Sequence, residues 1–226
     1  MTGKALFVEE YFKRWRVDIE KAGELLANLS YYLESLLVLS CYVGAFASMR
    51  FPTLRDGEAY VKVVLEYSGK REFYEQIDLL FLCQWPRSKH RDHGDYKSLK
   101  SHAEIVAVLI GLYGSEDEIK AGTRYLSPSR LSSEVVAAAI PNFDEKNFRE
   151  RLSLFSFAEQ LYRYVRCDAV HSAQFPFVSE ARTADGNTVY RHNHAITGQV
   201  LFETTLGVLS NLRDECLAKD KWPHEL

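Results

Sequence analysis

The sequence predicts an all-α protein, a helical bundle with one short β-hairpin before its last helix. Apolar residues recur at spacings of three and four through most of the 226 residues, the mark of amphipathic helices. Glycine and proline cut that pattern into pieces of ordinary helix length. Only residues 172–197 break it completely, with Phe177-Val178 and Thr188-Val189-Tyr190 flanking Ala184-Asp185-Gly186-Asn187, a strand pair around an Asp-Gly turn. Composition is ordinary for a globular chain, 46% hydrophobic and 26% charged, and the length suits a single domain over 1–226.

From Leu6 to Phe51 the pattern is helical. Phe7, Tyr11, Trp15 and Ile19 step by four, Leu25 to Leu37 continue the apolar run, Gly23 divides it in two, and Pro52 ends it. Gly57–Tyr67 and Glu72–Gln84 read as two helices parted by Ser68-Gly69, the second closed by Trp85-Pro86. Residues 87–95 form a polar surface loop. A helix then runs from about Leu99 to Tyr113, stopped by Gly114, and a short one spans Ser133–Ala139 between prolines. Asn142 or Asp144 caps a long helix over 144–171. Its apolar stripe is broad, with Phe148, Leu152, Phe155, Ala158, Tyr162, Val165 and Ala169 widened by Leu154, Phe157, Leu161 and Tyr164. Gly198–Leu217 forms the last helix, and the polar tail, 218–226, is expected to fray.

Charge and cysteine usage narrow the function. A net charge of −3 disfavours sustained non-specific binding to duplex DNA and leaves nucleic-acid contact to a local patch. Cys41, Cys83, Cys167 and Cys216 are far apart within apolar runs, so buried free thiols in a reducing compartment are expected. His90 and His93 lack a third nearby ligand, and no metal site is expected. Lys4, Glu9, Glu10 and Lys13 precede any long apolar run, the wrong pattern for a signal peptide. The uncharged stretch Ser35–Met49, flanked by Glu34 and Arg50, is short for a bilayer span and reads as a core helix. These features predict a cytoplasmic protein without membrane association.

The densest chemistry lies in Leu161–His171, where Arg163, Arg166, Asp168 and His171 crowd into an apolar helical pattern. At about 100° per residue, Arg166 falls at the angle of Phe148 and Phe155, and a charge there needs a partner. Asp168 is the nearest carboxylate in sequence, and an Arg166–Asp168 pair is one reading of the segment. His171 lies roughly 140° from Arg166 on an unbroken α-helix, so the two meet only if the helix loosens or a second chain supplies one of them. His192 and His194 lie on the hairpin side, with surface exposure as their default.

The run Tyr162-Arg163-Tyr164-Val165-Arg166-Cys167-Asp168-Ala169-Val170-His171, at the end of a helix and followed by a hairpin and a final helix, resembles the HEPN superfamily. That family's signature is an arginine followed four to six residues later by a histidine, and the likeness covers 144 to the end of the last helix. The resemblance implies a homodimer with two motifs facing one cleft, and a metal-independent endoribonuclease without cofactor, acting on single-stranded RNA in defence or as a toxin. Catalytic roles fall to Arg166 and His171, with Asp168 orienting the histidine; Arg163 has a solvent-facing position as its default and lining a dimer cleft, as a substrate-binding residue, as its alternative. The family often has a polar residue directly after the arginine, where this chain has Cys167. The competing expectation is a non-catalytic HEPN-like module that dimerises and binds a protein or nucleotide partner.

Overall fold

The computed structural model describes residues 3–87, 97–172, 178–186 and 188–226. Contacts divide the chain into two compact units, Met1–Arg71 with Leu161–Leu226, and Glu72–Gln160, where the sequence suggested one domain. The architecture is all-α with a short hairpin, as expected.

In chain order, α1 (Gly3–Glu24) buries Val8, Phe12, Ile19 and Ala22 along one face. It ends one residue past Gly23. Two 3-10 turns follow, the second capped by the Asn28 side chain accepting from Ser30 N, and lead into α2 (Tyr32–Arg50). Helix α3 (Asp56–Tyr67) starts with Asp56 and Glu58, carboxylates that suit the positive end of its dipole.

The helix expected over 72–84 is broken. Ile77–Asp78 forms β1, and Asp78 caps α4 (Leu79–Gln84) by accepting from Phe81 N at 3.1 Å. The Asp78 carboxylate has no exposure and takes both Nε and Nη2 of Arg124, at 3.1 and 2.8 Å. Apolar spacing alone does not reveal an aspartate whose partner is 46 residues away. Helices α5 (His102–Tyr113) and α6 (Glu116–Ala121) follow, the latter opened by a Ser115/Glu118 capping box. Strand β2 (Tyr125–Leu126) pairs antiparallel with β1. Helix α7 (Pro128–Ala137) begins five residues earlier than expected, because Ser127 caps it and Pro128 sits in its first turn, where a missing N–H costs nothing.

The long helix expected over 144–171 is also interrupted. Helix α8 (Glu145–Leu152), capped by Asp144, passes into a 3-10 turn, and Ser156 adopts extended backbone. Ser156 bridges to Ile77, and Phe157 N donates to Gln76 O, so main-chain groups that a helix would use internally are taken by a strand edge. Helical geometry resumes at Phe157–Gln160, widens to a π-turn over Leu161–Arg166, and returns in α9 (Cys167–Ser172). The hairpin pairs β3 (Val178–Arg182) with β4 (Thr188–His192), with Val178 opposite His192 and Arg182 opposite Thr188. Thr197 caps α10 (Gly198–Lys219).

In the first unit, α1, α2, α3 and α10 pack together around Phe12, Ile19, Leu39, Val43, Phe46, Tyr60, Val63, Val208 and Leu212. The window Leu29–Arg50 is long and apolar enough to cross a membrane by length and composition, yet half of it is buried, the pattern of a core helix. Arg50 Nε donates to Tyr67 Oη at 2.6 Å, and Tyr67 in turn donates to Glu215, which also pairs with Lys219. Burial, reinforced by Glu215, pushes the Tyr67 phenol up to about 12. The tail docks instead of fraying: Trp222 meets Tyr11 edge-on at 5.8 Å, Pro223 is buried, and Lys4 pairs with Glu225 at 2.7 Å. The second unit closes around Tyr74, Ile77, Leu79, Leu109, Leu131, Phe148, Phe155 and Phe157.

All four cysteines are free. Cys83 and Cys216 are buried, and burial pushes both thiols up to about 11. Cys41 is exposed and Cys167 intermediate, which corrects the expectation that every thiol is buried. The polar loop beyond Arg87, with His90 and His93, lies outside the described residues.

Candidate functional site

The segment that carries the sequence motif packs against α2 and α3 within the first unit. Its π-turn places Tyr162 and Arg166 nearly one above the other, with the guanidinium carbon 5.6 Å from the centre of the Tyr162 ring. The Tyr162 ring rests against Tyr60 at 5.5 Å, and Tyr60 approaches Ser40 Oγ at 3.4 Å in the buried interior. Gly57 makes room for it: a Cβ there would lie 2.6 Å from Tyr162 Cε1. Gly44 of α2 faces the guanidinium Nε and the Tyr60 ring at ordinary contact distance.

Asp56, the first residue of α3, closes the cluster. Its Oδ2 receives Arg166 Nη1 at 2.8 Å and the Tyr162 hydroxyl at 3.0 Å, while its Oδ1 receives Nη2 at 3.4 Å. The Arg166 side chain is 21% exposed and that of Asp56 46%, so one edge of the pair meets solvent. Cys167 Sγ lies 4.0 Å from Nη1. Burial works against the Arg166 charge, but Cys167, Asp56 and Tyr162 outweigh it and raise its pKa. Burial, then Cys167 and Asp56, likewise raises the Tyr162 phenol.

The remaining motif residues are placed differently. His171 is exposed in the last turn of α9, while Asp168 and Arg163 are partly exposed. The carboxylate paired with Arg166 is Asp56, 110 residues away, rather than the Asp168 that the sequence suggested. Arg166 closes the π-turn and α-helical geometry resumes at Cys167, one turn before the exposed His171. His194 is buried at 6% exposure, against its expected surface position, and its Nδ1 accepts from Ile196 N at 3.2 Å. The side chain of His192 lies outside the described residues. Sequence reasoning missed Asp56, Gly57 and Tyr60 as members of the cluster. The one local sign was an acidic residue opening a helix, which ordinarily reports on the helix dipole alone.

Among the described residues, no three of His, Cys, Asp and Glu gather as a metal-binding group. No family model matches the chain, and comparison with curated proteins and with solved structures returns no match.

Proposed function

We propose that Leu161–His171 is half of an RNA-cleaving site of the HEPN kind, completed by a second copy of the chain. What carries the proposal is an arginine fixed by Asp56 and Tyr162, with an exposed histidine five residues further along the same helix. In such a site the RNA 2′-hydroxyl attacks phosphorus, its proton passes to a base, and the 5′-oxygen leaves with a proton, giving a 2′,3′-cyclic phosphate and a 5′-hydroxyl. Imidazole titrates near neutrality and serves as that acid or base. A guanidinium offers paired donors to the non-bridging oxygens, where charge grows in the transition state. Because the two side chains leave one helix in different directions, the partner's motif supplies the missing half. Arg163 lines the approach of the strand and Asp168 orients the histidine, in a cytoplasmic setting.

The second reading is a non-catalytic dimerisation module, and one observation favours it. Asp56 already occupies two guanidinium nitrogens of Arg166, an arrangement that also serves a purely structural ion pair.

The test compares wild type with His171→Ala on single-stranded RNA in EDTA, with melting temperature recorded for both. Loss of cleavage by the variant at unchanged melting, from a protein that light scattering weighs at twice 26.0 kDa, supports the nuclease. Equal cleavage by both proteins, or a monomer at micromolar concentration, removes the shared-cleft mechanism. Absence of cleavage by either favours the module.

A further inference from the structure

We propose that Asp56 is the positioning residue for Arg166, fixing the guanidinium fork from a separate helix so that its donors present one geometry to a phosphodiester. The proposal rests on reading Arg166 as the phosphate contact. Nothing in the 161–171 motif contains this function; it comes from the first turn of α3.

An arginine side chain has several rotatable bonds and loses that rotamer freedom when held. In this protein two restraints act directly on one such chain, and a third holds its partner carboxylate. The Tyr162 ring lies under the guanidinium, the Asp56 carboxylate grips both terminal nitrogens, and the Tyr162 hydroxyl donates to the same Oδ2 that receives Nη1. Tyr162 therefore orients Asp56 as well as Arg166. The triangle is held from outside by Tyr60 against the Tyr162 ring and by Gly57, whose missing side chain lets that ring approach α3. The fork of Arg166 has five N–H donors; Asp56 takes two of them and Nη1 also points a donor at Cys167 Sγ, 4.0 Å away. Donors remain for a second anion beside the carboxylate, and with 46% of the Asp56 side chain exposed, that edge is open to solvent.

The alternative role for Asp56 is competition, in which the carboxylate occupies the fork that a phosphate would need. The two roles predict opposite signs. If Asp56 positions Arg166, its removal loosens the fork and weakens catalysis; if it competes, its removal frees the fork and tightens RNA binding.

The experiment uses Asp56→Asn, Asp56→Glu and Tyr162→Phe in the full chain. Three readouts are taken: the side-chain NMR signals of Arg166, assigned by their loss in Arg166→Lys; fluorescence anisotropy with a labelled single-stranded RNA; and single-turnover cleavage. Positioning predicts separate guanidinium signals in wild type that merge in Asp56→Asn as rotation about Nε–Cζ becomes free. It also predicts a fall in cleavage rate of about a hundred-fold with little change in RNA affinity, the scale expected for a misplaced catalytic group. Asp56→Glu restores part of the rate, and Tyr162→Phe, which keeps the ring and loses the bond to Asp56, falls between. Unchanged Arg166 signals in Asp56→Asn overturn the proposal, as does tighter RNA binding by that variant. If wild type neither binds nor cleaves RNA, the nuclease reading fails separately. The Arg166 signals then decide on their own whether Asp56 fixes the fork.

Discussion

Two glycine-to-alanine substitutions in helix interiors are predicted to have opposite signs, for reasons read from their surroundings. Gly207 of α10 approaches the end of α3 so closely that a Cβ would lie 2.3 Å from the Ser68 carbonyl oxygen and 3.0 Å from its carbon. Favourable contacts between non-bonded carbons begin near 3.5 Å, so the helices must separate by about 1 Å. The obstacle is main chain and cannot swing aside. Asn211, four residues along α10, donates from Nδ2 to Tyr67 O at 2.7 Å, and separation strains that bond as well. Overpacking of this kind costs roughly 1–3 kcal/mol and the weakened hydrogen bond about 1 kcal/mol more, against a gain of about 1 kcal/mol in helix propensity. Gly207→Ala is therefore expected to lose roughly 1–3 kcal/mol. Gly111 of α5 is exposed, and a Cβ there meets nothing within 4 Å, so propensity acts alone and Gly111→Ala gains up to about 1 kcal/mol. Thermal melting by circular dichroism separates the two, since each kcal/mol moves the midpoint of a chain this size by about 2–4 °C. A Gly207→Ala protein that melts at or above wild type refutes the packing argument.

Two further outcomes follow from buried polar groups. Asp78→Ala removes the carboxylate facing Arg124 together with the cap of α4, and is expected to cost about 3–5 kcal/mol in urea unfolding; Asp78→Asn, which keeps an acceptor for Phe81 N, costs less. A loss below about 1 kcal/mol for the alanine variant contradicts the assignment of that pair as a structural lock. Tyr67, raised to about 12 in the folded protein, contributes stability that is fully present below its unfolded pKa of about 10 and is lost as pH climbs towards 12. Urea midpoints measured across that range should fall more steeply for wild type than for Tyr67→Phe, and parallel curves would rule out this tyrosine as the source.

The sequence conveyed element type well where the controlling forces are local. The helical spacing through Phe7, Tyr11, Trp15 and Ile19, the stop at Gly114 and the turn residues between the hairpin strands all act within a few residues, and the element types follow them, although α1 buries Val8, Phe12, Ile19 and Ala22 and leaves Phe7 exposed. It misled where distant backbone intervened. The apolar spacing of 144–171 contains no sign that Ser156 and Phe157 engage the strand edge at Gln76 and Ile77, and that contact converts one predicted helix into several pieces. A proline at the first helical position explains the early start of α7, a local signal present in the sequence and overlooked.

The motif divides along the same line. That Arg166, Cys167, Asp168 and His171 share one short helical stretch was set by sequence alone, because their spacing continues the helical pattern, whereas the π-turn that ends at Arg166 was not legible in it. Which carboxylate holds Arg166 was decided only by tertiary structure. Asp56 lies 110 residues away, where no local periodicity reaches. Its place beside the guanidinium depends on α3 packing against the π-turn, with Gly57 close enough for the Tyr162 ring to fit. Asp168, nearer in sequence, was the better guess from spacing, but a buried charge pairs with the carboxylate that the packed helices bring to it.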